Sequence, residues 1–345
     1  MIFRSRAPFR LGLAGGGTDV SPYSDLYGGA ILNATVSLYA SATIELIDDP
    51  LVELHSIDQK QVQIFQMDEE LQLHTGLELQ KGVILRMRQE RWLPEGKGFR
   101  LTTAMDVPAG SGLGTSSTLV VAILKAFAEW NNLPLGDYDM AHLAYEIETK
   151  ELGLAGGKQD QYAATFGGFN FMEFYHDDQV IVNPLRIKPE YIQELEHNLI
   201  LYFTSSSRKS TEIIQEQQLN VENKKQSSIE AMHQLKEQAR LMKEALLRGR
   251  LHEIGEILDY GFEQKRKMAH SISNESLDHI YSSAKEAGAT GGKISGAGGG
   301  GFMFFYCPGN TKYAVAEQLK KQSGYIISSH FTDRGVQSWR ASSKL

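Results

Sequence analysis

In the first half of the chain the hydrophobic pattern switches between two periods. Ala34 to Ile47 (Ala-Thr-Val-Ser-Leu-Tyr-Ala-Ser-Ala-Thr-Ile-Glu-Leu-Ile) is dense in β-branched and aromatic residues and reads as a long strand. Further strands are expected near Leu51–His55, Gln61–Phe65 and Gly98–Thr103. From Ser116 the period becomes helical, with Leu119, Val120, Ile123, Leu124 and Phe127 on one face. A second helix is expected over Asp137–Glu151, presenting Met140, Leu143, Ala144 and Ile147, followed by strands at Gly168–Phe174 and Gln179–Val182.

After a strand at His197–Phe203, helix-forming sequence dominates from Ser210 to Arg248, from Leu251 to His270 and from Glu275 to Ala287. The stretch Gln215–Lys236 is strongly polar and reads as a solvated surface helix. The chain closes with a strand at Phe302–Tyr306, a helix at Thr311–Gln322 and a strand at Gly324–Ser328. A helix-rich unit flanked by strands predicts an α+β second domain. The boundary is expected near Asn183–Pro189, dividing residues 1–185 from 186–345.

Composition narrows the class. A chain of 345 residues with a 41% hydrophobic fraction can bury a large core and has the length of two domains. The net charge of −7 argues against general nucleic-acid or anionic-membrane binding, while allowing a local basic site for phosphate. The single cysteine, Cys307, excludes a disulfide framework within one chain and a cysteine-based zinc site. Beside the run Gly301-Phe-Met-Phe-Phe-Tyr306 it reads as a buried or strand-end thiol. No signal peptide fits Met1-Ile-Phe-Arg-Ser-Arg and no apolar run approaches membrane-span length, so the cytoplasm is the expected compartment. Oligomeric state stays open, a homodimer included.

Candidate chemistry lies in glycine-rich segments spread over the chain. Pro108-Ala-Gly-Ser-Gly-Leu-Gly-Thr-Ser-Ser117 is a flexible loop and hydroxyl cluster leading straight into a helix. Its unpaired N–H groups and helix dipole suit phosphate, and a serine hydroxyl there could ligate Mg²⁺. No Gly-Lys-Ser/Thr follows, so it is not a Walker A loop. Gly296-Ala-Gly-Gly-Gly-Gly301 contains a formal G-x-G-x-x-G but opens into a strand, which removes the dinucleotide reading and leaves a loop where two backbones pass closely. In Gly153-Leu-Ala-Gly-Gly-Lys-Gln-Asp-Gln-Tyr162, Asp160 is expected in a loop between helix and strand, with Glu148 on the preceding helix. Such an acid could accept a hydroxyl proton while Glu148 holds a metal; as ordinary structure, they would be a turn residue and a solvated carboxylate.

Together with Arg6-Ala-Pro-Phe-Arg-Leu-Gly-Leu-Ala-Gly-Gly-Gly-Thr-Asp19, these segments resemble the GHMP kinase superfamily over nearly the whole chain. The resemblance implies an α+β, two-domain GHMP kinase fold: an N-terminal domain with a left-handed β-α-β unit and a C-terminal ferredoxin-like domain with added helices. It implies ATP in the cleft between them, with Mg²⁺. By the same resemblance, Gly110, Ser111, Gly112, Leu113, Gly114, Thr115, Ser116 and Ser117 form the phosphate loop. Ser116 and Glu148 hold the metal, Asp160 is the catalytic aspartate and Arg10 is its partner. Gly16, Gly17, Thr18 and Asp19 meet the sugar, and Gly298 and Gly299 lie near substrate.

Galactokinases carry Glu-His-Thr-Asp where this chain has Gly16-Gly-Thr-Asp19, which opens space for a longer or phosphorylated sugar. Leu13 to Ala30, with Asn33-Ala, looks most like the bacterial heptose 7-phosphate kinases of the superfamily, whose substrate is a sugar phosphate phosphorylated at its 1-hydroxyl. A fucokinase-like enzyme and a silent sugar- and ATP-sensing homologue are the alternatives. For a distal phosphate, Arg208 and Lys209 in Thr204-Ser-Ser-Ser-Arg-Lys-Ser210 are the candidate cations.

Overall fold

The computed structural model describes residues 1–94, 96–205 and 210–342. The first sheet has eight strands: β1 (Ile2–Ala14), β2 (Gly29–Ile47), β3 (Leu51–Ser56), β4 (Gln61–Gln66), β5 (Gly98–Met105), β6 (Phe169–Phe174), β7 (Val180–Pro184) and β12 (Gln337–Ala341). Its main path runs β12-β1-β2-β5-β3-β4, and β6 pairs with β2 and β7. β2 is long because it serves three neighbours: β1, β5 along Ala40–Ile47, and β6 along Gly29–Ala34. Gly29–Val36 is buried without interruption and the remainder alternates, so only the first half is covered on both faces. β3 and β5 are parallel, joined by a crossover through β4 and α2 (Glu78–Gln89).

The second sheet has four antiparallel strands: β8 (Leu199–Phe203), β9 (Gly291–Ile294), β10 (Phe302–Tyr306) and β11 (Tyr325–Ile327). Their order, β11-β8-β10-β9, with helices inserted after β8 and β10, is the split β-α-β-β-α-β arrangement of a ferredoxin-like domain. Helices α7 (Ser210–Glu222), α8 (Gln226–Arg248), α9 (Ile254–Met268) and α10 (Glu275–Glu286) separate β8 from β9, and α11 (Thr311–Leu319) separates β10 from β11. The two-domain α+β architecture expected from sequence is therefore present.

The expected strands at 51–55, 61–65, 98–103, 168–174 and 302–306 appear within two residues of their bounds. The helix from Ser116 is α3 (Thr115–Asn131), and Cys307 is fully buried. Other expectations change. The helix over Asp137–Glu151 is α4 (Asp137–Glu146) followed by a π turn, Ile147–Glu151. The polar stretch from Gln215 spans parts of both α7 and α8, and it is not wholly solvated. Gln217, Val221, Ile229, Met232 and Leu235 are buried, because these helices cover the second core. The strand expected from His197 starts at Leu199, after α6 (Pro189–Asn198).

The C-terminal segment departs from the 186–345 domain. β12 pairs antiparallel with β1, Ile2 opposite Ala341, and Val36 bridges to Phe331. Without β12, β1 would be an open edge with unpaired backbone groups. Among the described residues, no helix is long and apolar enough to cross a membrane.

Candidate active site

The cleft is organised around Arg10. On β1, Phe9 and Leu11 join the core, and Arg10 between them points the other way. Its side chain is buried and reaches three distant segments. Nε donates to Asp160 Oδ1 at 2.6 Å, Nη1 donates to the Gly112 carbonyl at 2.7 Å, and Ser295 Oγ lies 3.4 Å from Nη1. One guanidinium thus joins the acid, the phosphate loop and the third glycine segment.

Asp160 is not in a loop. It occupies the first turn of α5 (Gln159–Phe166), where the helix dipole favours a carboxylate. The residue beside it in space is Gly114, at φ +75°, where a Cβ would stand 2.9 Å from Asp160 Cγ. Only glycine lets the end of the phosphate loop lie directly against the acid.

The loop itself divides. Gly110, Gly112, Gly114, Thr115, Ser116 and Ser117 line the cleft. Ser111 and Leu113 are buried behind it: the Ser111 carbonyl accepts from Phe302 N–H at 2.8 Å, and Leu113 joins the core. The Thr115 hydroxyl accepts from Gly110 N–H at 3.2 Å and closes the loop on itself.

Glu148 lies on the π turn, buried, at the cleft wall. Gln161 Nε2 lies 2.6 Å from its Oε2 and 3.1 Å from Ser117 Oγ. Burial pushes the Glu148 carboxyl up to about 7, and Ser117 and Gln161 offset part of that. Ser116 and Ser117 both line the cleft, but successive helical residues point in different directions. Ser117 shares the Gln161 bridge with Glu148, while Ser116 is exposed.

A second pocket continues past the Arg10–Asp160 pair, lined also by Gly17, Asp19, Gln159, Gln217 and Lys265. Asp19 is buried, and Gln159 N–H donates to its Oδ2 at 3.0 Å. A Cβ on Gly157 would stand 1.9 Å from that oxygen, so this glycine is required by close approach. Burial raises the Asp19 carboxyl above its ordinary value, and its Oδ1 has no partner among the described residues.

Other expected sugar contacts take different places. Thr18 Oγ1 lies 2.9 and 3.0 Å from the Gly15 and Ala30 carbonyls and accepts from Ala30 N–H, so it fastens the turn to β2. Gly17 lines the pocket, whereas Gly16 backs onto Lys265 and Lys293. Gly298 and Gly299 pack on Ile272, with Gly299 N–H donating to its carbonyl at 2.8 Å, while Gly296 and Ala297 face both pockets. The reason is close backbone packing, the ordinary use of such a run. Lys158 turns away, toward Asp178 Oδ1 at 2.7 Å. Arg208 and Lys209 lie outside the described residues.

Sequence reasoning missed Gln161, Gln217 and Lys265. A signal existed for the last two. Gln217 falls between Ile213 and Val221 at four-residue spacing, and Lys265 falls on the apolar stripe of α9.

Comparison with known proteins adds the following. Residues 78–168 match the model of the GHMP kinases N terminal domain, and residues 242–325 match that of the GHMP kinases C terminal. The chain is 47% identical over 337 residues, 98% of each chain, to a D-glycero-alpha-D-manno-heptose 7-phosphate kinase of Campylobacter jejuni. A solved D-glycero-D-manno-heptose 1-phosphate kinase from Bacteriodes thetaiotaomicron superposes with TM-score 0.84 at 46% identity, covering 99% of this chain and 100% of that one. A bifunctional fucokinase/GDP-fucose pyrophosphorylase of Arabidopsis thaliana is 28% identical over 91% of this chain, which spans 30% of that protein.

Proposed function

The chain belongs to the GHMP kinase family, and on that premise we propose that it phosphorylates the anomeric 1-hydroxyl of D-glycero-D-manno-heptose 7-phosphate with ATP. The product would be the 1,7-bisphosphate used in GDP-heptose assembly, a reaction of the cytoplasm. The observation that carries this reading is the position of Asp160. Its carboxylate abuts the phosphate loop at Gly114, pairs with Arg10 and lines both pockets.

In this reading the phosphate loop and the α3 N-terminus hold the ATP phosphates. Asp19 orients sugar hydroxyls through Oδ1, which has no partner among the described residues. The sugar 1-oxygen bonds to the γ-phosphorus as the bond from that phosphorus to the β–γ bridging oxygen breaks. Asp160 takes the hydroxyl proton, and ADP departs with the electron pair. Arg10 holds the acid and loop in one geometry and offsets charge on the transferred group.

The residues also fit Mg²⁺. Glu148 is a buried carboxylate with neutral neighbours in Gln161 and Ser117, and an all-oxygen set of Glu148, Ser116 and Ser117 suits a hard cation completed by phosphate oxygens and water. Bound there, the ion would neutralise charge on the polyphosphate.

The test is D160A. Turnover should fall by about 10²–10⁴-fold, while nucleotide affinity stays near wild type. Near-normal turnover would refute the role of Asp160. The position of phosphorylation is read by phosphorus NMR of the product: a signal at any carbon other than C1 rejects the anomeric assignment. Heptose 7-phosphate outcompeted by free fucose points instead to the fucokinase-like reading.

A further inference from the structure

Lys265 stands on α9 in a stripe otherwise given to the core, with Leu258, Gly261, Phe262 and Met268. It is 3% exposed. Among the described residues its Nζ has one hydrogen-bond partner, the Gly16 carbonyl at 3.5 Å, and makes no ion pair. A buried ammonium held by one long contact is costly unless another group meets it.

The same pocket holds two more unmet groups. Among the described residues, Asp19 Oδ1 is a buried acceptor without a partner, and Gln217 Nε2 is a buried donor without one. Sugar hydroxyls satisfy Asp19. They leave the ammonium, which Asp19 and Asp160 favour only through space, without an anionic hydrogen-bond partner among the described residues. Lys265 and Gln217 Nε2 both donate, and a phosphate monoester, which only accepts when ionised, satisfies both. Lys293, the other buried lysine nearby, is already engaged with the Gly12 carbonyl at 2.8 Å.

The direction of α7 agrees. Thr211 lines the phosphate-loop pocket, Ile214 lines both pockets, and Gln217 lines only the sugar side.

We propose that Lys265, with Gln217, binds the phosphate monoester of the incoming sugar and makes the cleft prefer a phosphorylated sugar to a free one. This rests on the reading that the substrate is a sugar phosphate.

A pH dependence follows. Burial pushes the Lys265 ammonium down to about 8; Asp19 and Asp160 favour its charged form and Arg10 opposes it. Lys293 faces it across Gly16. Lys265 is charged below that value and neutral above it, whereas a phosphate monoester is ionised throughout this range. Affinity for the phosphorylated sugar is therefore lost as pH rises through about 8.

Calorimetry with heptose 7-phosphate, free heptose and a non-hydrolysable ATP analogue tests this. K265M should weaken binding of the 7-phosphate by about 10–100-fold, leaving free heptose and nucleotide within about twofold. The wild-type protein, which needs no variant to fold, should bind the 7-phosphate more weakly above pH 8 and show no such step for free heptose. Equal weakening of both sugars by K265M, a loss confined to nucleotide, or wild-type affinity indifferent to the 7-phosphate overturns the proposal. Binding that depends on Lys265 but leads to no turnover supports it, while sinking the kinase reading above.

Discussion

Arg10 is the residue on which the cleft closes. Its guanidinium is almost wholly removed from water, and its three partners come from α5, the phosphate loop and the segment before Gly296. A planar group with donors on several edges can serve three segments at once, which an ammonium cannot do in the same geometry. Replacing it by methionine leaves Asp160 without its partner and should cost about 3 kcal/mol, near the lower end for a broken buried pair because Asp160 keeps some contact with water. D160N strands the charge on Arg10 instead. If the two groups act as a pair, R10M/D160N in urea unfolding is less destabilised than the sum of the single variants. Additive losses would show that the pair contributes little and that the contacts to Gly112 and Ser295 dominate.

At the scale of elements, the site depends on how α8 and α9 seat the glycine turn after β1. Gln238 on α8 is fully buried; its Oε1 accepts from Gly15 N–H at 3.1 Å and its Nε2 donates to the Ile257 carbonyl of α9 at 2.9 Å. One side chain thereby fixes the spacing of the turn, α8 and α9, and with it the placing of Asp19 and Lys265. Q238L should cost about 1–3 kcal/mol through the stranded backbone groups. It should raise KM for sugar well above wild type while leaving KM for ATP nearly unchanged, because the phosphate loop is anchored elsewhere. An equal rise for both substrates would mean that the strut supports the whole cleft. The π turn at Ile147–Glu151 is a second such device, aiming Glu148 at the cleft after α4.

At the scale of the molecule, the two sheets share one core. Leu11, Leu13 and Leu32 of the first sheet belong to the same apolar cluster as Leu201, Phe203, Phe302 and Phe304 of the second. β12 adds a covalent return: it covers the edge of β1, and its Ser338 and Arg340 bond to Glu129 of α3 at 2.9 and 3.0 Å. Thermal unfolding should therefore be a single transition, and a chain ending at Gly335 should melt earlier and aggregate more readily through the bared β1 edge. Two resolved transitions in the full-length chain would show that the shared core does not couple the domains.

Local pattern alone determined most elements of this protein and the chemistry its loops can support. Strand and helix periods depend on near neighbours, and glycine-rich loops before a helix favour phosphate whatever surrounds them. That is why β2 and α3 were legible, along with the kinase resemblance; the glycine loop at 110–117, Arg10 and Asp160 stood out as candidates, and the fold brings them to one cleft. Only the tertiary structure decided which polar groups face the cleft. Lys265 and Gln217 occupy positions that a helical stripe assigns to the core, while Thr18 bonds the Gly15 carbonyl and Gly298 and Gly299 pack on Ile272. The return of β12 to β1 likewise depends on an edge formed by residues at the opposite end of the chain. Which groups remain unmet in a buried pocket is a property of many distant segments at once, because each buried donor or acceptor is satisfied or stranded by whatever the fold brings beside it.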